Sequence, residues 1–271
     1  MKELATRAVS GAIYVLLLIG SLYSEVALAI LIGIFGLICL MEFSRLIKLK
    51  SYIQYAILLI LYVGFWYLRV HNTTNIVGDE ATQILLVITI FVNLILIKDL
   101  FTSKRIPLFE SKRFIVSTFY LTSGFIFMLL ISNYHKAFTP LLLLGSFILI
   151  WVNDSAAYMV GKNFGKQKLF PSISPKKTVE GFLGGLFFAC ISSYFIALYT
   201  ETLNFTPWLI LAIIVSVFGT FGDLIESKFK RQAEVKDSGS IMPGHGGLLD
   251  RLDSIIFAAP FIYLFLRIIH F

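Results

Sequence analysis

Long apolar runs separated by short polar segments make up most of the chain. A helix needs about 20 apolar residues to cross a hydrocarbon core of about 30 Å, and lipid requires each segment to close its own backbone hydrogen bonds. We therefore predict an all-α fold, a polytopic transmembrane helical bundle with about nine spans. The apolar runs lie near residues 8–24, 26–43, 52–68, 81–97, 114–132, 141–160, 182–200, 207–222 and 254–270.

The distribution of charge predicts how this bundle is oriented. Only 14% of the 271 residues are charged, against roughly 25% in a soluble domain. If the N-terminus is inside, all but three of the 23 basic residues fall on inner segments, the exceptions being Arg69, Lys136 and Arg267. Cytoplasmic loops of membrane proteins gather Lys and Arg, so the pattern predicts an N-in, C-out topology. It also explains the net charge of +7, so we expect no nucleic-acid partner.

The two halves of the chain differ in where their polar residues lie. Residues 1–140, with five predicted helices, have short loops, and Glu42 at the inner end of the second run is interpreted as part of a helix-end charge ladder. Residues 141–271, with four predicted helices, carry two polar loops at 161–180 and 223–253, both predicted to be cytoplasmic. Long loops in a compact protein are usually functional. We therefore expect N-terminal membrane spans followed by catalytic membrane spans.

One carboxylate is predicted inside the membrane. Asp154 lies in the sixth run, about six residues from its inner end, or roughly 9 Å deep at about 1.5 Å per residue. A charge there costs about 2.5–3.5 kcal/mol, so the side chain should face the bundle interior and serve a function. An ion-coupled transporter is one alternative, but the paired broken helices of such proteins are not visible in the sequence.

A lysine-rich segment leads straight into the seventh run. Ser174, Lys176, Lys177 and Thr178 place two cations and two hydroxyls just before a predicted helix start, where backbone N–H groups and the helix dipole favour anions. This suits a phosphate or a lipid headgroup. A positive-inside flank with hydroxyl capping explains the segment equally well, and the following Gly181-x-x-x-Gly185 favours close helix packing.

Acidic residues collect around the last polar loop. Asp250 and Asp253 are three residues apart and share a face on a helix, while Asp223 lies at the other end of the loop. Mg²⁺ prefers such oxygen ligands and binds through one or two carboxylates plus substrate phosphates. Gly246 and Gly247 would let backbone N–H groups approach phosphate closely. Alternatively, Asp253 could merely cap the last helix.

The same loop carries a motif with fixed spacing. It closely resembles the signature of the phosphatidate cytidylyltransferases, also called CDP-diacylglycerol synthases. The segments near Asp154 and Lys177 are also similar to motifs of that family. The signature reads Ser227-x-Phe229-Lys230-Arg231-x4-Lys236-Asp237-x-Gly239, closing in Pro243-x-His245-Gly246-Gly247-x2-Asp250-Arg251-x-Asp253.

The resemblance implies transfer of a cytidylyl group from CTP to phosphatidate, giving CDP-diacylglycerol and pyrophosphate for phospholipid biosynthesis. It implies Mg²⁺, a second cation (K⁺), a homodimer and a multi-pass protein of the bacterial cytoplasmic membrane. A related CTP-dependent lipid kinase acting on a polyprenol-type lipid is the alternative enzyme. In either case the site should lie at the cytoplasmic membrane interface, because the lipid substrate stays in the bilayer while CTP arrives from the cytosol.

These arguments assign candidate roles to seventeen residues. The predicted metal ligands are Asp223, Asp250 and Asp253. The predicted catalytic residues are Asp154, Asp223, Lys230, Arg231, Lys236, Asp237, His245, Asp250, Arg251 and Asp253. The predicted substrate-phosphate-binding residues are Ser174, Lys176, Lys177, Thr178, Lys228, Gly246 and Gly247.

Overall fold

The computed structural model describes residues 2–71, 76–102, 105–134, 137–244 and 246–269. Within these residues, the main part of each predicted apolar run lies on one continuous helical segment, so the predicted all-α bundle is confirmed. A π-helical turn, Ser117–Thr122, joins α5 and α6 into one helix. The helices are α1 (Lys2–Ser21), α2 (Glu25–Leu46), α3 (Ile53–His71), α4 (Ile76–Leu100), α5 (Glu110–Val116), α6 (Ser123–Ser132), α7 (Pro140–Phe164), α8 (Val179–Thr200), α9 (Phe205–Gln232) and α10 (Leu249–Ile268).

Several of these helices can cross a membrane by length and composition. Within the described residues, six are long and apolar enough, and two shorter apolar helices, Val9–Ser21 and Ile53–Leu68, accompany them. This is the pattern of a multi-pass integral membrane protein. The six are Glu25–Leu46, Gly78–Leu100, Glu110–Ser132, Pro140–Phe164, Val179–Thr200 and Phe205–Gln232.

The bundle has a buried centre and an apolar periphery. Helix α10 packs against α9, α6, α4 and α2, and its side chains from Leu252 to Ile262 are buried. Gly124 permits the crossing with α6, since a Cβ there would lie 2.6 Å from the Ile256 carbonyl oxygen. Helix α8 instead exposes Leu183 and Phe187. A broad exposed apolar face is typical of a surface that contacts lipid.

The loop predicted at 223–253 is shorter than expected, which is a correction. Helix α9 continues to Gln232 and α10 begins at Leu249, so only residues 233–248 connect them. Leu224, Ile225 and Phe229 are buried, so the apolar face of α9 continues at helical spacing through the charged segment.

The loop predicted at 161–180 also differs. Helix α7 continues to Phe164, and an antiparallel hairpin follows, made of β1 (Lys168–Phe170) and β2 (Ser174–Thr178). Lys168 pairs with Thr178 and Phe170 with Ser174. The Thr178 hydroxyl then accepts a hydrogen bond from the Gly181 N–H at 3.1 Å and caps α8.

Glycines set how closely α7 and α8 approach each other. A Cβ on Gly181 would lie 2.8 Å from the Ala157 carbonyl oxygen, and one on Gly185 would lie 2.8 Å from that of Asn153. The prediction that this Gly-x-x-x-Gly pair serves helix packing is confirmed. The close contact places the start of α8 and hairpin strand β2 against the half of α7 that carries Asp154.

Candidate active site

A cavity of about 800 Å³ lies between α7, the hairpin and the facing ends of α8, α9 and α10. Its wall carries nearly balanced charge, because six cationic side chains face five carboxylates. The carboxylates are Asp154, Asp223, Asp237, Asp250 and Asp253. The cations are Lys162, Lys168, Lys176, Lys177, Lys230 and Arg251.

Two of these charges form an ion pair on the open side of the cavity. The Lys177 Nζ lies 2.5 Å from Asp223 Oδ2, which joins hairpin strand β2 to α9. The Ser227 hydroxyl, one turn further along α9, donates to Asp223 Oδ1 at 3.2 Å. Burial alone lowers the pKa of Lys177, but the Asp223 carboxylate outweighs it, so the pKa of this ammonium is raised. Lys177 therefore carries a full positive charge at neutral pH.

A second ion pair is held much more tightly. The Lys230 Nζ contacts Asp250 Oδ1 at 2.6 Å and also pairs with Glu226, one turn earlier on α9. The other Asp250 oxygen accepts from the Gly247 N–H at 2.7 Å, the Ser238 N–H at 2.9 Å and the Ser238 hydroxyl at 3.0 Å. Such compensation is what a buried ion pair requires. Asp250 thus has one fixed position at the start of α10.

Asp253 reaches the same cavity from the second turn of α10. The helix begins at Leu249, so the alternative that Asp253 caps this helix is wrong. Its carboxylate is buried, and Gly222 lets α9 approach so closely that a Cβ there would lie 2.6 Å from the Asp253 carbonyl oxygen. This close crossing brings Asp253 and Asp223 to one wall.

Asp154 lines the cavity from α7. The Asn153 side-chain amide donates to Asp154 Oδ1 at 3.2 Å, so this carboxylate has a neutral partner. The amide oxygen of the same side chain, Asn153 Oδ1, is buried and has no hydrogen-bond partner among the described residues. Both side chains belong to the cavity wall, together with Tyr158 one turn further along the helix.

Some predicted site residues lie elsewhere. Lys228 donates to the backbone carbonyls of Asp99 and Thr102 and so binds the end of α4 rather than the cavity. Arg231 contacts the carbonyls of Ile173 and Val235 at 3.5 and 3.3 Å. These geometries do not favour direct phosphate contacts, and the predicted roles of both residues stay predictions.

Of the other predicted site residues, some lie away from the cavity wall and some contact the Asp250 carboxylate. Ser174 pairs within the hairpin and Lys236 is exposed on the loop, and neither is part of the described cavity wall. Gly246 and Gly247 enclose the Asp250 carboxylate. His245 lies outside the described residues.

One important residue was missed by the sequence interpretation. Glu42 of α2 is fully buried and accepts hydrogen bonds from the Ser238 hydroxyl at 3.2 Å and the Leu249 N–H at 2.8 Å. It is not part of an exposed helix-end charge ladder. No local motif in the sequence marks this contact, because its partners lie about 200 residues away along the chain.

The described carboxylates do not form a ready-made metal cage. Across the described ranges, no group of three or more Asp, Glu, His or Cys side chains is arranged to hold a metal ion. The Lys177 and Lys230 ammonium groups instead occupy oxygens of Asp223 and Asp250. The cavity wall still supplies the hard oxygen donors that Mg²⁺ prefers.

Comparison with known proteins agrees with this picture. The model of the cytidylyltransferase family matches residues 5–269. Over 99% of its length the chain is 34% identical to a phosphatidate cytidylyltransferase of Bacillus subtilis (strain 168), covering 98% of that protein. It is 39% identical to the Staphylococcus haemolyticus (strain JCSC1435) enzyme of the same name, over 70% of this chain and 72% of the relative. A Staphylococcus aureus (strain COL) relative of that name is 49% identical over 46% of this chain and 48% of its own length. The chain therefore belongs to the cytidylyltransferase family.

Proposed function

We propose that this protein transfers the cytidylyl group of CTP to phosphatidate, forming CDP-diacylglycerol and releasing pyrophosphate. The observation that carries the proposal is the cavity of mixed charge, whose wall includes Lys230, Asp237, Asp250, Arg251 and Asp253 of the signature run. The full-length match to a relative named phosphatidate cytidylyltransferase supports the same reaction.

The chemistry of the transfer explains the composition of the cavity. An oxygen of the phosphatidate phosphate attacks the α-phosphorus of CTP, and pyrophosphate leaves in line with it. A phosphate monoester has a second pKa of about 6 and is already mostly ionised at pH 7, so no strong base is needed. The difficulty is to bring two polyanions together, which fixed cations relieve. The presence of Lys176, Lys177, Lys230 and Arg251 in the cavity wall supports a role for these cations in binding the phosphates.

The charge balance supports a role for Mg²⁺. The cavity wall has an excess of only one formal positive charge, whereas a single phosphate monoester carries about −1.5 to −2. The wall alone cannot neutralise both substrates. We propose that Asp223, Asp250 and Asp253 hold Mg²⁺, and that a second cation, K⁺, also binds, as the family resemblance implies. Bound Mg²⁺ would neutralise phosphate oxygens, and Lys177, which belongs to the more exposed of the two ion pairs, would move from Asp223 towards phosphate.

We place the site at the cytoplasmic membrane interface of a nine-span, N-in, C-out protein. The cavity lies where α7 and α9 end and where α8 and α10 begin, and in an alternating bundle these ends share one side. That side also carries most of the basic residues. The exposed apolar face of α8 next to Phe182 offers phosphatidate a route from the bilayer. Bacterial relatives support the bacterial cytoplasmic membrane as its location.

We also propose that residues 1–140 form N-terminal membrane spans and that residues 141–271 form the catalytic membrane spans. A homodimer is a further part of the proposal. The cavity walls come entirely from residues beyond 141, which supports assigning the chemistry to that part. The homodimer is supported by the family resemblance alone. Mass measurement of the protein released from native membrane would test it, and a monomeric mass would contradict it.

The reaction is tested with purified protein in lipid nanodiscs containing phosphatidate, supplied with Mg²⁺ and CTP labelled either at the α- or at the γ-phosphate. We expect α-label in the lipid extract and γ-label in pyrophosphate. With a polyprenol added to the nanodiscs, a CTP-dependent lipid kinase would instead place γ-label in the lipid, and an ion-coupled transporter would label neither. Either result would overturn the proposal. Asp99→Asn is a suitable control, because Asp99 pairs with Lys112 at 2.9 Å outside the cavity.

A further inference from the structure

A buried carboxylate from the second helix lies beneath the signature loop. Glu42 of α2 is fully buried, and its described partners are neutral donors. The Leu248 N–H donates to Oε1 at 3.3 Å, and the Leu249 N–H and the Ser238 hydroxyl donate to Oε2 at 2.8 and 3.2 Å. An ionised carboxylate is costly to bury unless several donors compensate it. A buried carboxylate with this cost indicates a specific structural or functional role for Glu42.

Glu42 satisfies donors that α10 cannot satisfy itself. The first N–H groups of a helix have no acceptor within the helix, and they normally bind a capping side chain. The capping position here is Leu248, which has no side-chain acceptor. Glu42 therefore takes the place of the cap, from a different helix, and its negative charge suits the positive end of α10.

The loop backbone closes around this carboxylate. A Cβ on Gly239 would lie 2.2 Å from Glu42 Oε1, and a Cβ on Gly247 would lie 2.5 Å from Oε2. Both positions therefore exclude any larger side chain while Glu42 is in place. Close packing against Glu42 therefore gives a structural reason for glycine at both positions.

The contacts of Glu42 lead directly to Asp250. Ser238 has one hydroxyl proton but two carboxylate neighbours, Glu42 Oε2 at 3.2 Å and Asp250 Oδ2 at 3.0 Å. The Ser238 and Gly247 N–H groups also bind Asp250 Oδ2. The segments that hold Asp250 are therefore the same segments that Glu42 anchors.

We propose that Glu42 is a positioning residue for the cytidylyl transfer: it anchors Ser238 and the backbone at Leu248 and Leu249, so that Asp250 meets Lys230 in the cavity wall. The catalytic part of this inference rests on the proposed function, whereas the anchoring of the loop does not. Glu42 is not part of the cavity wall, so it acts through Asp250 and not on the substrates.

The anchoring is tested by hydrogen–deuterium exchange of the intact protein in nanodiscs. In Glu42→Ala we expect exchange of the Leu248 and Leu249 amides to rise about tenfold or more, because both lose their acceptor. Glu42→Gln should give a smaller rise, since its amide carbonyl still accepts. The control is Glu25→Gln, the same substitution at the other end of α2, which should leave these amides unchanged. Unchanged exchange in Glu42→Ala, or equal changes in the control, would overturn the proposal.

The catalytic consequence is tested by separating kcat from KM. Misplacing a catalytic group by about 1 Å can cost about 100-fold, so kcat of Glu42→Ala should fall by about 10- to 100-fold with a much smaller change in the KM for CTP. Ser238→Ala removes only the shared hydroxyl and keeps the helix anchored, so it remains informative if Glu42→Ala does not fold. We expect Ser238→Ala to lower kcat about threefold to tenfold. In the double variant with Glu42→Gln, kcat should fall by less than the product of the two single effects, because both changes act on the same contact.

Two outcomes distinguish this inference from the proposed function. If wild-type protein makes no CDP-lipid but the amides of Leu248 and Leu249 open in Glu42→Ala, the anchor stands and the proposed function fails. If CDP-lipid forms and kcat in both Glu42→Ala and Ser238→Ala stays within twofold of wild type, the positioning role is refuted.

Discussion

The two aspartate–lysine pairs of the cavity differ in how firmly they are held. Asp223 and Lys177 keep 33% and 28% of their side-chain surfaces exposed, and Ser227 is the one further partner of Asp223 in the described structure. Asp250 and Lys230 are only 8% and 11% exposed, next to a fully buried Glu226. The first pair can exchange partners at little cost, whereas the second is fixed by its surroundings. Within one site, the Asp223–Lys177 pair is suited to rearrange around a ligand, and the Asp250–Lys230 pair is suited to hold its proposed ligand groups in fixed positions.

Asp250→Asn should have the largest effect, on both activity and stability. The amide nitrogen of Asn would have to face either the Lys230 ammonium or the Gly247 N–H, so a buried charge loses its partner. We expect turnover to fall at least about 1,000-fold and the free energy of unfolding to fall by about 3 kcal/mol. Turnover is measured by CDP-lipid formation and stability by thermal unfolding in nanodiscs. Activity close to wild type would contradict the assignment of Asp250.

Asp223→Asn should separate activity from stability. The pair with Lys177 is partly exposed, so its loss should change the free energy of unfolding by less than about 1 kcal/mol. Turnover should still fall about 100- to 1,000-fold, because the proposed metal ligand is lost. A large loss of stability would show that the Asp223–Lys177 pair stabilises the fold as much as the Asp250–Lys230 pair does, and would contradict the difference between them. Asp99→Asn provides the matched control for a lysine-paired aspartate outside the cavity.

Gly247→Ala should disturb the tightly held pair without altering any charge. A Cβ there would lie 2.1 Å from the Ser238 hydroxyl and 2.5 Å from Glu42, so the loop must shift. We expect turnover to fall about 10- to 100-fold, measured as for the aspartate variants. Gly20→Ala is the control, because a Cβ at Gly20 meets nothing within 4 Å. Equal activity in the two variants would mean that the loop tolerates displacement.

The smallest effect is expected from pH. The pKa of Lys177 is raised above its unfolded value of about 10.4, so its contribution to stability is fully present below that value and is lost only as pH rises through the folded pKa. The stability difference between wild type and Lys177→Gln should therefore be constant from about pH 6 to pH 9. Unfolding measurements across this range would contradict the assignment if the difference shrank.

The sequence predicts the number and order of the helical segments well, but it predicts the residues at which they begin and end less well. Nine apolar runs predict nine helical segments, but the charges after Gly222 hide the continuation of α9, whose Ile225 and Phe229 keep the helical spacing. The high charge of the segment after Gly222 predicts a loop that includes Asp223 and Lys230. The helical spacing of the buried apolar residues in the same segment shows that both lie on α9. The hairpin at 168–178 was likewise missed, because its strands are too short for alternation to be visible.

The candidate site shows what local sequence can and cannot reveal. The signature run places Asp250, Arg251 and Asp253 near each other, because they share two turns of one helix. The spacing of residues cannot show that Lys177 meets Asp223, or that Glu42 meets Ser238, since these contacts depend on how separate helices cross. Glu42 also looks ordinary in sequence, where a carboxylate at a helix end near the membrane surface needs no special explanation.

The long separation between Glu42 and its partners affects how the protein is made. Leu249 follows Glu42 by 207 residues, so at about 5–20 residues per second the ribosome needs roughly 10–40 s to supply it. Through that interval the nascent chain has a carboxylate near the C-terminal end of α2 without the donors that later enclose it. Until α10 arrives this carboxylate needs water as its hydrogen-bond donor, so the half-made bundle has to remain open to water at this point.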